Sequence, residues 1–336
     1  MSLRLIEIAL PEVFRKEIAE LLKDQPVLEI WQETIEEDRI HMKILVATEH
    51  SETILDSLEK RFSKAEGFRI ILLPVEASIP RPEKEKKQRS GNEWLVESQK
   101  PVSKVIRVSR EELYYDIKKT IRLTWAYTMM VFFSAVVASI GILRNNVVFI
   151  IGAMVIAPML GPNLALSFAT TLGDVNLIRK AVQAIAIGIL VTLIPSVFIG
   201  VFFGIDTNIP QLVFRTEVSL GDVILALAAG SAAAISFTSE LFSALIGVMV
   251  AVALLPPLVT LGMLAGTGKW DLALGSLLLF LVNLICVNLA AILTFLIQGI
   301  RPLTWWEAKK AKKATQIAIV LWTFLLVALV TILILS

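Results

Sequence analysis

The chain has 336 residues, 56% of them hydrophobic, with a mean hydropathy of +0.73 and a formal net charge of +2. The near-neutral balance offers no basic stripe for a nucleic acid, and the single cysteine, Cys286, rules out a disulfide framework or a cysteine metal site within one chain. The average conceals two unlike parts: residues 1–122 carry 45 of the 62 charged side chains and residues 123–336 carry only 17. A soluble domain followed by an α-helical polytopic membrane domain is predicted.

Residues 3–10, LRLIEIAL, alternate and predict a strand. Residues 11–24 open with Pro11 and place Val13, Ile18, Leu21 and Leu22 at helical spacing. Residues 27–48 hold two strand-like runs around the turn-like EED of 36–38. A second helix is predicted over 51–67, with Ser51 as N-cap and Gly67 as C-cap, and FRIILLPVEA closes with a strand. The order β-α-β-β-α-β is that of the α+β ferredoxin-like split βαβ, assigned to residues 1–79. Domains of this plan serve as ligand-binding regulators and as plain assembly modules, and the fold does not choose between them. Their edge strands invite pairing between copies, so a homo-oligomer is expected. The first residues lack the long apolar core and small-residue cleavage site of a signal peptide, which places the domain in the cytoplasm.

Residues 80–108 are charged, Pro-containing and aperiodic, and read as a linker. SREELYYDIKKTIR, 109–122, pairs Ser109 with Glu112 in a capping box and repeats Leu113, Ile117 and Ile121 every four residues. Lys118, Lys119 and Arg122 gather at its end. Two readings fit: an amphipathic helix lying at the cytoplasmic interface, or a soluble helix packed on the N-terminal domain.

Apolar runs long enough to cross a bilayer appear at about 123–143, 147–172, 181–204, 220–237, 241–266, 271–300 and 315–335, seven spans in all. With residues 1–122 inside, the inner connections carry seven basic residues, Arg179, Lys180, Arg301, Lys309, Lys310, Lys312 and Lys313, and the outer ones three, Arg144, Arg215 and Lys269. This satisfies the positive-inside rule and puts the C-terminus outside, in the plasma membrane.

Residues 138–162 fall without a gap on 233–257, a shift of 95, with eight of 25 positions identical, including Ile151-Gly152 with Ile246-Gly247 and Pro162 with Pro257. The period covers three spans, so the second copy enters from the opposite face. The expected architecture is a 3+3 inverted repeat, about 123–204 and 220–300, plus the extra span at 315–335. Inverted repeats with interrupted helices mark transporter cores. Pro158 and Pro162 cannot donate backbone hydrogen bonds, and Gly161 admits close approach or unusual backbone angles. Freed carbonyls survive at membrane depth only against protein or a wet cavity. Asn163 and Ser167 stand beside this break, Pro256, Pro257 and Thr260 occupy the second copy, and Asn283 and Asn288 flank Cys286 in the sixth span. These ten are the candidate pore or solute-contacting residues. No ionisable side chain lies clearly at a span centre, which argues against intramembrane catalysis; no catalytic residue, metal or cofactor is expected.

Three stretches, SREELYYDI (109–117), IGAMVIAPMLGPNLAL (151–166) with Gly173-Asp174, and LIGVMVAVALLPPLVTLG (245–262), resemble the membrane proteins of the domain-of-unknown-function 389 family. The resemblance implies a prokaryotic polytopic membrane protein and supplies no substrate. The residues themselves point to a transporter or channel for a small solute, with the N-terminal domain regulating or assembling it. The alternative is a membrane-anchored receptor or signalling scaffold whose soluble domain binds a ligand or partner.

Overall fold

The computed structural model describes residues 3–23, 25–36, 39–63, 65–75, 78, 108–239 and 244–300, with a few helical positions between 320 and 331. The linker at 80–107, most of the seventh span and the basic connection at 301–316 lie outside the described residues. The chain divides into two compact units, residues 1–113 and 114–336.

In the first unit, strand β1 (Leu3–Pro11) leads through a single 3-10 turn at Glu12–Phe14 into helix α1 (Arg15–Lys23). Strands β2 (Val27–Glu36) and β3 (Arg39–Ala47), helix α2 (Thr48–Phe62) and strand β4 (Arg69–Val75) follow. The sheet order is β2-β3-β1-β4 and every pair is antiparallel. Register follows from the period of two: Ile6 faces Ile44 and Ile8 faces Met42 across β1 and β3, so one face is continuously aliphatic. Ile18 and Leu22 of α1 and Ile54, Leu58 and Phe62 of α2 complete that core. Each fully buried aliphatic side chain contributes about 1.5–3 kcal/mol.

Two predicted caps are corrected. Helix α2 begins at Thr48, and Ser51 lies inside its first turn, donating its hydroxyl to the Thr48 carbonyl at 2.8 Å. Gly67, at φ +80°, serves the turn before β4, because α2 has already ended at Phe62. The capping box at 109–112 forms only in half. Ser109 Oγ accepts from Glu112 N at 3.4 Å, but the Glu112 carboxylate turns to Arg4, which donates from Nε and Nη2 at 3.0 and 3.1 Å. Arg110 donates to Asp56 of α2 at 2.7 Å. Helix α3 (Arg110–Thr120) thus starts fastened by ion pairs to β1 and α2. Its apolar stripe, Leu113, Ile117 and Ile121, is buried in protein; Tyr115 and Lys119 are on its exposed side.

The second unit is helical: α4 (Trp125–Leu143), α5 (Val147–Ile156), α6 (Leu160–Leu172), α7 (Val175–Phe203), the short α8 (Pro210–Val213), α9 (Leu220–Thr238), α10 (Ala244–Gly266) and α11 (Trp270–Ile297). Four of these, α4, α7, α9 and α11, are long and apolar enough to cross a membrane, and α5 with α6 makes a fifth as a pair bent by 52°. This is the build of a membrane protein. Helix α10 covers the expected fifth span.

Within the bundle α4 packs on α5 and α7, α9 on α10 and α11, α6 on α7, and α10 on α11; across it, α7 lies on α10 and α6 on α11. Small residues permit these approaches. A Cβ at Gly200 would lie 2.2 Å from the Met263 carbonyl oxygen, and one at Gly230 would lie 2.5 Å from that of Val287.

Candidate functional site

The interruption at 157–159 is dictated locally. Pro158 has no N–H for the Met154 carbonyl, and it drives the preceding residue out of the helical region. Ala157 accordingly sits at φ −70°, ψ 114°. Helix α6 restarts at Leu160 and carries Pro162 in its first turn, where an N–H would have no intrahelical acceptor. Gly161 is there for space: an added Cβ would fall 2.7 Å from Thr120 Cβ, at the end of α3.

The segment aligned with this interruption behaves differently. Pro256 and Pro257 lie inside α10, which runs through both of them, so the expected pair of matched breaks is not formed. The register explains it. Under the shift of 95, Pro257 answers Pro162, which does not break α6, whereas the residue that answers Pro158 is Ala253. The two aligned segments share the harmless proline and differ at the disruptive one.

Three of the expected residues converge. Asn163 and Ser167 stand one turn apart on α6, and Asn288 faces them from α11, all buried. Ser167 Oγ is 2.9 Å from Asn288 Oδ1, to which it donates, and Asn288 Nδ2 donates to Asn163 Oδ1 at 3.3 Å and to the Leu284 carbonyl at 2.8 Å. Asn163 Nδ2 donates to the Met159 carbonyl at 2.8 Å, tying the network to the break. The arrangement holds an uncharged polar stripe closed between two helices.

Thr260, on α10, is wholly buried, and its hydroxyl has no hydrogen-bond partner among the described residues. Asn283 lies apart from Asn288, and with Pro257 it lines a separate cavity of about 260 Å³ between α9, α10, α11 and the segment around α8. Arg215, in that segment, faces the same cavity. Sequence reasoning counted Arg215 only as a loop charge; its burial depends on how the connection folds back, for which the sequence carries no signal.

Gly173-Asp174 also acquires a role. Gly173, at φ 70°, ends α6, and Asp174 caps α7 by accepting from Leu177 N at 3.0 Å. Tyr114 donates its hydroxyl to the other Asp174 oxygen at 2.8 Å. Burial and that carboxylate push the Tyr114 phenol up to about 12.

The model of the domain of unknown function DUF389 matches residues 154–289, from the end of α5 to the Asn288 turn of α11. An uncharacterized protein of Methanocaldococcus jannaschii is 33% identical over 330 residues, 98% of each chain. The chain belongs to the DUF389 family. In this DUF389 protein the matched region contains Asn163, Ser167, Pro257, Thr260, Asn283 and Asn288, and it ends short of the Gly299 turn. No solved structure matches the DUF389 protein.

Proposed function

We propose that this DUF389 protein is an integral membrane transporter or channel for a small solute, acting by binding and conformational change rather than by chemistry. The observation that carries the reading is the bent pair α5–α6. Its 52° interruption lies in apolar sequence, next to a buried network of neutral amides and a hydroxyl. Interrupted helices at such depth are tolerated where they line a cavity or pack on protein.

The packing favours an inverted repeat. If α4, α5–α6 and α7 form one copy and α9, α10 and α11 the other, the main helix contacts have counterparts, the lesser α4–α10 contact being the exception. The contact α4–α7 answers α9–α11, α6–α7 answers α10–α11, and α7–α10 answers α6–α11. The last pair is a reciprocal exchange, as a two-fold relation requires. In this reading the N-terminal unit, with its β2-β3-β1-β4 order, is a ferredoxin-like module on the cytoplasmic side that assembles copies or regulates the path, and the C-terminus lies outside.

The test is flux. Purified protein in liposomes should move a solute, and Pro158→Ala, which restores the missing donor at the break, should reduce that flux at least tenfold while leaving membrane insertion intact. Flux unaffected by Pro158→Ala would remove the break from the path. A protein that moves no solute in any screen, yet binds a partner through residues 1–113, would be a receptor or scaffold.

A further inference from the structure

Arg215 is the starting point. Its backbone is fixed just beyond α8 by a hydrogen bond to the Leu212 carbonyl at 2.9 Å. The neighbouring Thr216 is seated against α11, where a Cβ at Gly275 would fall 2.0 Å from the Thr216 carbonyl oxygen. Nη1 donates to Gln211 Oε1 at 3.0 Å and to the Gln211 backbone carbonyl. Among the described residues no carboxylate pairs with this guanidinium. Desolvation lowers its pKa to about 10, which leaves it charged at neutral pH. A partly buried cation whose only partners are neutral is costly unless a counter-ion is supplied.

The cavity it faces shows what that counter-ion would be attached to. Most of the lining is apolar, with Phe214, Leu225, Leu279 and Pro257 as walls, and Asn283 adds an amide. Asp222 also lines it, and its Oδ2 is held by Ser219 N and Oγ at 2.8 Å each as part of the α9 cap. That fixed negative charge penalises a second anionic group on the ligand. At about 260 Å³ the space is just below the range of drug-sized pockets, so the ligand is small.

We propose that the cavity between α8, α9, α10 and α11 is a binding site for a small monocarboxylate: its carboxylate on Arg215, its apolar tail against Phe214, Leu225 and Leu279, and dicarboxylates rejected by Asp222. The planar fork of an arginine suits a carboxylate better than an ammonium does. The inference rests on the transport reading only in taking Pro257 and Asn283 as lining the solute's route.

The experiment is saturation-transfer NMR on the purified full chain in detergent, with butyrate, succinate and butylamine as probes. Butyrate should give signal, and succinate and butylamine should not. Arg215→Gln should weaken butyrate at least tenfold, and Arg215→Lys should fall between. Asp222→Asn, which keeps a side chain able to cap α9, should gain succinate binding, and this gain stays readable even if Arg215→Gln fails to fold. Equal signal from all three probes, no butyrate signal, or an Asp222→Asn protein that still rejects succinate would each overturn the site. So would a loss of retained phospholipid in Arg215→Gln without butyrate binding, which would make the guanidinium a lipid-phosphate anchor. Butyrate bound without flux in liposomes would support the site and remove transport; flux of another solute without butyrate binding would do the reverse.

Discussion

Ser167 and Asn288 are 121 residues apart in sequence and share one hydrogen bond, so they can be tested as a pair. Ser167 Oγ lies near three acceptors, Asn163 O at 3.2 Å, Asn288 O at 3.3 Å and Asn288 Oδ1 at 2.9 Å, but a hydroxyl has one proton, and the last contact is the shortest. Interhelical hydrogen bonds in membrane bundles average about 0.6 kcal/mol and reach about 1.7. Ser167→Ala should therefore destabilise by about 0.6 kcal/mol. Asn288→Ala loses that bond and the 3.3 Å bond to Asn163 Oδ1, so it should cost about 1.2 kcal/mol before any cavity contribution. The double variant should lose about 0.6 kcal/mol less than the sum of the singles. Reversible unfolding in mixed micelles, followed by circular dichroism, reads all three. Coupling below about 0.3 kcal/mol, the level at which independent sites add, would show that α6 and α11 are not joined by this bond.

Thr260→Val should raise stability by about 1 kcal/mol, because it deletes a buried hydroxyl that has no partner among the described residues, and a destabilised variant in the same unfolding assay would contradict that. If a solute uses the hydroxyl, flux will fall as stability rises. Gly200→Ala, with its Cβ 2.2 Å from the Met263 carbonyl oxygen, should cost about 1–3 kcal/mol, while Gly152→Ala, with nothing within 4 Å, should cost nothing measurable. Equal effects at the two glycines would mean that α7 and α10 are not in close contact. The Tyr114 phenol is raised in the folded state, so its contribution is fully present below pH 10 and is lost as pH rises through about 12. Tyr114→Phe should flatten the stability profile across that window, as measured by melting in detergent.

What the sequence revealed depended on whether the signal was local. The alternation in LRLIEIAL marked the strand. The apolar runs located α4, α7, α9 and α11, because apolar length is itself the physical criterion. The interruption at Pro158 was also local, and it appears where the residue is. The error lay in treating prolines as equivalent: Pro162 sits in a first turn and Pro257 mid-helix, and neither ends a helix there. Asn163, Ser167 and Asn288 were all visible as candidates, but not that they meet, since pairing across more than 120 residues leaves no trace in one sequence. Arg215 was illegible for a further reason: the segment that carries it is seated through its neighbour Thr216 against Gly275 of α11, fifty-nine residues further along the chain.

Helix α6 is clamped at both ends by one short helix. Its first residues admit Thr120 against Gly161, and the turn that closes it offers Asp174 to Tyr114, so both attachments come from the last two turns of α3. A strut fixed at two points transmits rotation. The angle between α5 and α6 cannot change by moving α6 alone: either α3 swings with it, or the 2.8 Å phenol–carboxylate bond parts. Any change of angle at the break, in mechanical terms, is therefore geared to the helix that leads the chain into its apolar helices.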